Sequence, residues 1–162
     1  MNKKQLIIFD MDGTLIDSGN VITNTINFVR TNLGLQIMPK EDLLQNLNNP
    51  DINSAKYFYG TNEFTQDQTN LFTQYYDKHC ISDITLYDGV IDMLDQLSLY
   101  FTLTVATNAS KDFATKMINH LNIDSYFNLV VGATCVKNPK PHPDMLIKTI
   151  EQLNLHSKDA VL

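Results

Sequence analysis

The chain has 162 residues, 43% hydrophobic and 19% charged, with a formal net charge of −6; that is room for one domain with a core, or one carrying a small inserted lobe. An acidic balance argues against a broad nucleic-acid footprint, and no apolar run approaches the roughly eighteen residues that span a bilayer. The start, "MNKKQLIIFD", is too short in apolar residues for a signal-peptide core, and Cys80 and Cys135 have no CxxC spacing, so a reduced, soluble, cytoplasmic protein is the expectation, with neither disulfide nor zinc site.

In chain order, residues 6–9 are an apolar run that reads as a buried strand. From Leu15 to about Tyr87 no strand run follows. "SGNVITNTINFVRTNLG" has the apolar spacing of a helix ending at Gly34, and "PKEDLLQNL" opens a second helix at Pro39. "TQDQTNLFTQYYDKHC" holds Thr65 and Gln68 in capping-box spacing. This predicts a helical lobe of about seventy residues, too long for an ordinary loop.

Beyond it, "DGVIDMLDQLSL" reads as a helix and residues 101–106 as a second buried strand. Phe113, Ala114, Met117, Ile118 and Leu121 then share a helical face behind Ser110, a plausible N-cap. A strand over 129–131 precedes a helix with Met145, Leu146, Thr149, Ile150 and Leu153 on one face, started by Pro143. The last strand covers 160–162. Strand–helix alternation of this kind predicts a parallel α/β sheet.

Three stretches carry chemistry. In "LIIFDMDGTLIDS", Asp10 and Asp12 leave the first strand with only Met11 between them. Residues i and i+2 of a strand share a face, roughly 6–7 Å apart, so both carboxylates can converge on one ligand at the carboxyl edge of the sheet. A divalent cation would relieve their repulsion, Gly13 lets the backbone approach an anion closely, and Thr14 adds a hydroxyl and an amide. An acidic turn closing a strand is the plainer alternative. In "LTVATNAS", Thr107 and Asn108 stand before a helix whose free amides can cradle phosphate, or only be capped. In "VKNPKPHPDM", Lys140 lies between Pro139 and Pro141, which restrict where its ammonium can reach; a solvated loop lysine is the alternative.

In this order the stretches resemble the haloacid dehalogenase superfamily across essentially the whole chain, most closely its phosphoglycolate phosphatase-like branch. "DMDGTLIDS" is similar to the first motif almost letter for letter, "VATN" to the second and "KPHPDM" to the third, while "LYDGVIDMLDQL" resembles the return from cap to core. The resemblance implies a parallel Rossmann-like core over 1–15 and 88–162 and an inserted α-helical cap over 16–87. It implies Asp10 as nucleophile, Asp12 as general acid and then base, and Lys140 as countercharge. Gly13, Thr107 and Asn108 would bind the phosphoryl group. Magnesium would sit on the Asp10 carboxylate and the Asp12 backbone carbonyl. The substrate would be a small phosphorylated metabolite, with no nucleic acid or membrane as partner and the oligomeric state open.

The superfamily's fourth motif, an acidic pair after a strand, would follow "HSKDAVL", where the chain stops. The expectation is therefore a core incomplete at its C-terminus and an activity impaired to match, with Asp159 at the wrong end of its strand to substitute. Two alternatives accompany the phosphatase reading: a β-phosphoglucomutase-like phosphotransferase and a non-catalytic remnant. In the cap, Asn48, Asn49, Tyr57 and Tyr59 are candidates to line the site, although aromatic residues at helical spacing are more often core.

Overall fold

A computed structural model describes residues 5–47, 49 and 51–162. Asn48 lies outside the described residues. The chain divides into two compact units, one made of Met1–Asp17 with Thr85–Leu162 and the other of Ser18–Ile84. Strands β1 (Leu6–Phe9) and β2 (Ile16–Asp17) come first. Helices α1 (Gly19–Asn32), α2 (Lys40–Asn46), α3 (Ser54–Tyr59) and α4 (Gln66–His79) make the second unit. The chain then runs through β3 (Thr85–Leu86), α5 (Val90–Ser98), β4 (Thr102–Ala106), α6 (Lys111–His120), β5 (Leu129–Val131), α7 (Asp144–Gln152) and β6 (Ala160–Val161).

In the first unit the sheet order is β5-β4-β1-β6, with every neighbouring pair parallel. This is the α/β fold that the strand–helix alternation predicts. β1 is central, so its Leu6 and Ile8 are buried in one cluster with Ala106, Val131 and Met145, and Leu146, Ile150 and Leu153 of α7 pack against it. The register pairs Phe9 with Val105 and Ala106 with Val131. The exits of β1, β4 and β5 therefore fall at one edge, the place where open α/β sheets bind ligands.

Two backbone details shape that edge. Met11 is fully buried, and its carbonyl accepts from the amides of Thr14, Leu15 and Ile16, which folds the chain after Asp10 into a tight turn. Gly13 closes the turn at φ +77°, a conformation that L side chains rarely adopt. At the end of β5, Gly132 faces the start of α6: a Cβ there would stand 2.4 Å from the Lys111 amide nitrogen and 2.7 Å from the Ala109 carbonyl oxygen. Backbone meets backbone, and the Ala133 amide donates to the Ala109 carbonyl at 2.8 Å.

Three differences from the sequence expectations concern short or terminal pieces. β2 and β3 pair antiparallel, Ile16 with Leu86 and Asp17 with Thr85, within the stretch where no strand was expected. Strands of two residues are too short to show any periodicity. α3 is likewise only six residues long. Phe101 and Leu162 fall just outside β4 and β6, the usual uncertainty at element ends. Among the described residues, no helix is long and apolar enough to cross a membrane.

The second unit is a small helical cluster around Ile26, Val29, Leu43, Phe58 and Tyr59. The capping box forms as its spacing predicts: the Gln68 amide donates to Thr65 Oγ1 at 3.3 Å, and the Thr65 amide to Gln68 Oε1 at 3.0 Å. Asn27 ties α1 to the following loop through paired 2.9 Å bonds with the Met38 amide and carbonyl. Arg30 donates to the carbonyls of Gln36 and Phe58. Tyr59 is a core residue here, although it also borders an apolar cavity of about 380 Å³ beside Phe58, Phe64 and Phe72.

Two stability outcomes are expected. Burial pushes the Tyr59 hydroxyl from 10.0 up to about 12, so its contribution to stability is complete below pH 10 and is lost as pH rises through 12. A shift of this size corresponds to roughly 2–3 kcal/mol. Urea unfolding measured from pH 9 to 12 should show this alkaline loss in the native chain and a smaller one in Tyr59→Phe. Separately, Gly132→Ala has no space for its methyl without moving backbone, and should lower stability by about 1–3 kcal/mol in thermal unfolding.

Candidate active site

The carboxyl edge of the sheet gathers four side chains from three segments. Asp10 follows β1 directly. Its Oδ1 accepts from the Met11 amide at 2.7 Å and from Lys140 Nζ at 2.6 Å. Asp10 and Lys140 are thus in contact although 130 residues separate them. The lysine side chain is 22% exposed and the aspartate 44%, so the carboxylate stays open to a ligand while its countercharge is largely covered.

Asp12 receives the second contact. Thr107, buried at the end of β4, donates from Oγ1 to Asp12 Oδ2 at 3.2 Å, and the same oxygen accepts from the Ala109 amide at 3.1 Å. The threonine hydroxyl is therefore aimed from both sides. Asn108 is exposed, and its side-chain amide donates to the Lys140 carbonyl at 3.0 Å. Its side chain tethers the lysine loop, leaving its backbone amide as the group to consider for phosphate. Ser110 caps α6 through the Phe113 amide at 3.3 Å, as its position predicts.

Gly13 sits beside these residues in the turn after Asp12, and its amide donates to the Ile16 carbonyl at 2.9 Å. What it brings to the edge is its positive φ and the lack of a side chain, since its amide is engaged. Asp159 lies at the start of β6, where its carbonyl accepts from the Gln5 amide at 2.8 Å. Because β6 runs parallel to β1, Asp159 is at the opposite end of the sheet from Asp10.

The metal donors that the resemblance implies, the Asp10 carboxylate and the backbone carbonyl of Asp12, are both hard oxygens. Among the described residues, no group of three or more His, Cys, Asp or Glu could hold an ion. A small oxygen set of this kind fits magnesium, which commonly retains several waters and takes one or two carboxylates. It does not fit a softer ion that needs His or Cys ligands.

One part of the site lies within "KPHPDM" but is not singled out by the sequence. Asp144, in the first turn of α7, reads in sequence as an ordinary acidic residue after a helix-starting proline. In the structure its Oδ2 accepts from the amide of Asn138 at 3.2 Å and from that residue's side chain at 3.1 Å, and its Oδ1 meets His142 Nδ1 at 2.8 Å. The available signal is its place in "KPHPDM", four residues beyond Lys140.

Residues 7–162 match the haloacid dehalogenase-like hydrolase family. The chain is 27% identical over 172 residues to a phosphoglycolate phosphatase of Chromobacterium violaceum, covering 100% of this chain and 78% of that protein. It is 28% identical over 169 residues to one of Aquifex aeolicus, covering 98% and 74%. A crystal structure described as a predicted phosphatase from Clostridium acetobutylicum superposes with a TM-score of 0.86 at 26% identity, covering 99% of this chain and 75% of that one. With the match running through β1, β4, the lysine loop and β6, the chain belongs to the haloacid dehalogenase-like hydrolase family of enzymes.

Proposed function

We propose that the chain is a magnesium-dependent phosphatase that hydrolyses a small phosphorylated metabolite through an aspartyl-phosphate, in the manner of phosphoglycolate phosphatases. A cytoplasmic setting belongs to this reading, as does the assignment of the helical unit as an α-helical cap of the family's kind. The observation that carries it is the Asp10–Lys140 contact of 2.6 Å beside the Asp12–Thr107 contact of 3.2 Å, at one sheet edge.

The two carboxylates divide the work. A carboxylate oxygen of Asp10 attacks phosphorus as the bond to the leaving oxygen breaks, giving an acyl phosphate. Asp12, carrying a proton at this stage, delivers it to the leaving alkoxide. Asp12, now a carboxylate, takes a proton from the water that attacks phosphorus, the acyl phosphate P–O bond breaks, and Asp10 is restored with inorganic phosphate released. Thr107 suits both stages, because a hydroxyl has one donor and two acceptor positions and can follow Asp12 through both protonation states.

Lys140 answers an electrostatic difficulty. A carboxylate attacking a phosphate dianion meets like charge, and an ammonium 2.6 Å from Asp10 offsets it without taking up the open face of the carboxylate. The Ala109 and Lys111 amides already donate to Thr107 Oγ1 and Thr134 Oγ1, so the Asn108 backbone amide is the group beyond Thr107 that this reading offers to a phosphoryl oxygen. Magnesium held by the Asp10 carboxylate and the Asp12 carbonyl would supply further neutralisation of phosphoryl charge.

The expected outcome is measurable on the native chain with an aryl phosphate and magnesium. Asp10→Asn should abolish turnover, because an amide is a poor nucleophile, and Lys140→Ala should reduce kcat/KM by roughly 10²–10³. Intact-mass spectrometry after quenching should find a phosphoryl adduct in the native chain and none in Asp10→Asn. Turnover that survives Asp10→Asn, or that is indifferent to magnesium removal, overturns the proposal.

A further inference from the structure

We propose that Asp144 is a positioning residue for Lys140: one carboxylate clamps both flanks of the segment that carries the lysine. The importance of Lys140 rests on the phosphatase reading above, while the clamp itself rests on geometry alone.

The segment runs from Asn138 to His142 with Lys140 at its middle. On the near flank, Asp144 Oδ2 accepts from both the backbone amide and the side-chain amide of Asn138, at 3.2 and 3.1 Å. On the far flank, Oδ1 meets His142 Nδ1 at 2.8 Å. The His142 amide donates to the Pro139 carbonyl at 3.0 Å, closing the loop on itself. Asn108 holds the Lys140 carbonyl at 3.0 Å from outside. The lysine backbone is therefore gripped at its own carbonyl and at residues two positions to either side.

The carboxylate that does this is well anchored. Asp144 opens α7, and the next residue, Met145, is fully buried in the core beside β1. One turn further on, Lys148 Nζ donates to the Cys135 carbonyl at 2.7 Å, tying the same helix to the chain that leads into the loop. A long, flexible ammonium side chain is most effective when its root does not move. The clamp passes the rigidity of the α7–sheet packing to that root.

A first-turn acid also interacts favourably with the helix dipole, and that role alone would affect α7 without acting through Lys140. The two are separable by labelling surface lysines with trace acetic anhydride and reading each site by peptide mass spectrometry, which needs no activity. In Asp144→Ala, labelling of Lys140 should rise roughly tenfold, the order of one lost charge-assisted bond, while Lys148 on the same helix stays unchanged. Asp144→Asn, which keeps an acceptor oxygen, should restore part of the protection. Turnover of an aryl phosphate should fall roughly ten- to hundredfold in Asp144→Ala, but Asp144→Ala should cost nothing further in a Lys140→Ala background.

Unchanged Lys140 labelling overturns the clamp, and so does a rise shared equally by Lys148. An undiminished Asp144→Ala effect on turnover in the Lys140→Ala background does the same. If Asp144→Ala fails to fold, His142→Ala removes the far arm and Asn138→Ala the side-chain half of the near one, and no rise in the double variant is equally decisive against the clamp. A native chain without phosphatase activity would count against the proposed function, and the labelling result would still decide the clamp.

Discussion

Two aspartates separated by one residue at the end of a central strand cannot stand as bare like charges, and the resolution of that repulsion organises the first unit. The solution is asymmetric. Asp10 receives an ammonium at 2.6 Å, and Asp12 receives a hydroxyl at 3.2 Å. One carboxylate is thus neutralised by a formal charge and the other is steadied by a dipole. Chemically equivalent side chains acquire different surroundings, which is the condition for two carboxylates to take different roles.

Each of these partners depends on packing away from the edge. Thr107 reaches Asp12 because β4 lies beside β1 in fixed register, Phe9 opposite Val105. Lys140 reaches Asp10 because its loop is suspended between β5 and α7, and α7 is seated by Met145 and its neighbours against Leu6 and Ile8. The backbone contact at Gly132 brings the end of β5 against the start of α6. Hydrophobic burial several residues from the charged groups thereby sets where those groups meet.

The helical unit is built differently. Among its described residues there is no sheet to impose register, and its helices are held by a compact aromatic and aliphatic cluster together with specific polar ties. Asn27 binds both polar groups of Met38, and Arg30 reaches the carbonyls of Gln36 and Phe58. These bonds satisfy loop backbone that short helices leave unpaired. The unit's polar ties are local, between residues of one small cluster, whereas the contacts at the carboxyl edge of the sheet span most of the chain.

Much of the fold was legible in the sequence because its signals are local and periodic. Apolar runs marked β1, β4 and β5 at or near their observed limits, 3.6-residue spacing marked the long helices, and Ser110 and the Thr65–Gln68 pair marked where two of them begin. The motif "DMDGT" likewise pointed to Asp10 and Asp12, since proximity along the chain is itself sequence information. The β2–β3 pair and α3 had no such signal, being too short to complete a period. The resemblance of "KPHPDM" named Lys140 as countercharge, but its 2.6 Å contact with Asp10 Oδ1, the use of the Asn108 side chain on the Lys140 carbonyl, and the two-sided grip of Asp144 were decided only by the tertiary structure. They are contacts in which residue type permits many partners, and the choice among them falls to strand register and helix packing, which bring distant segments together.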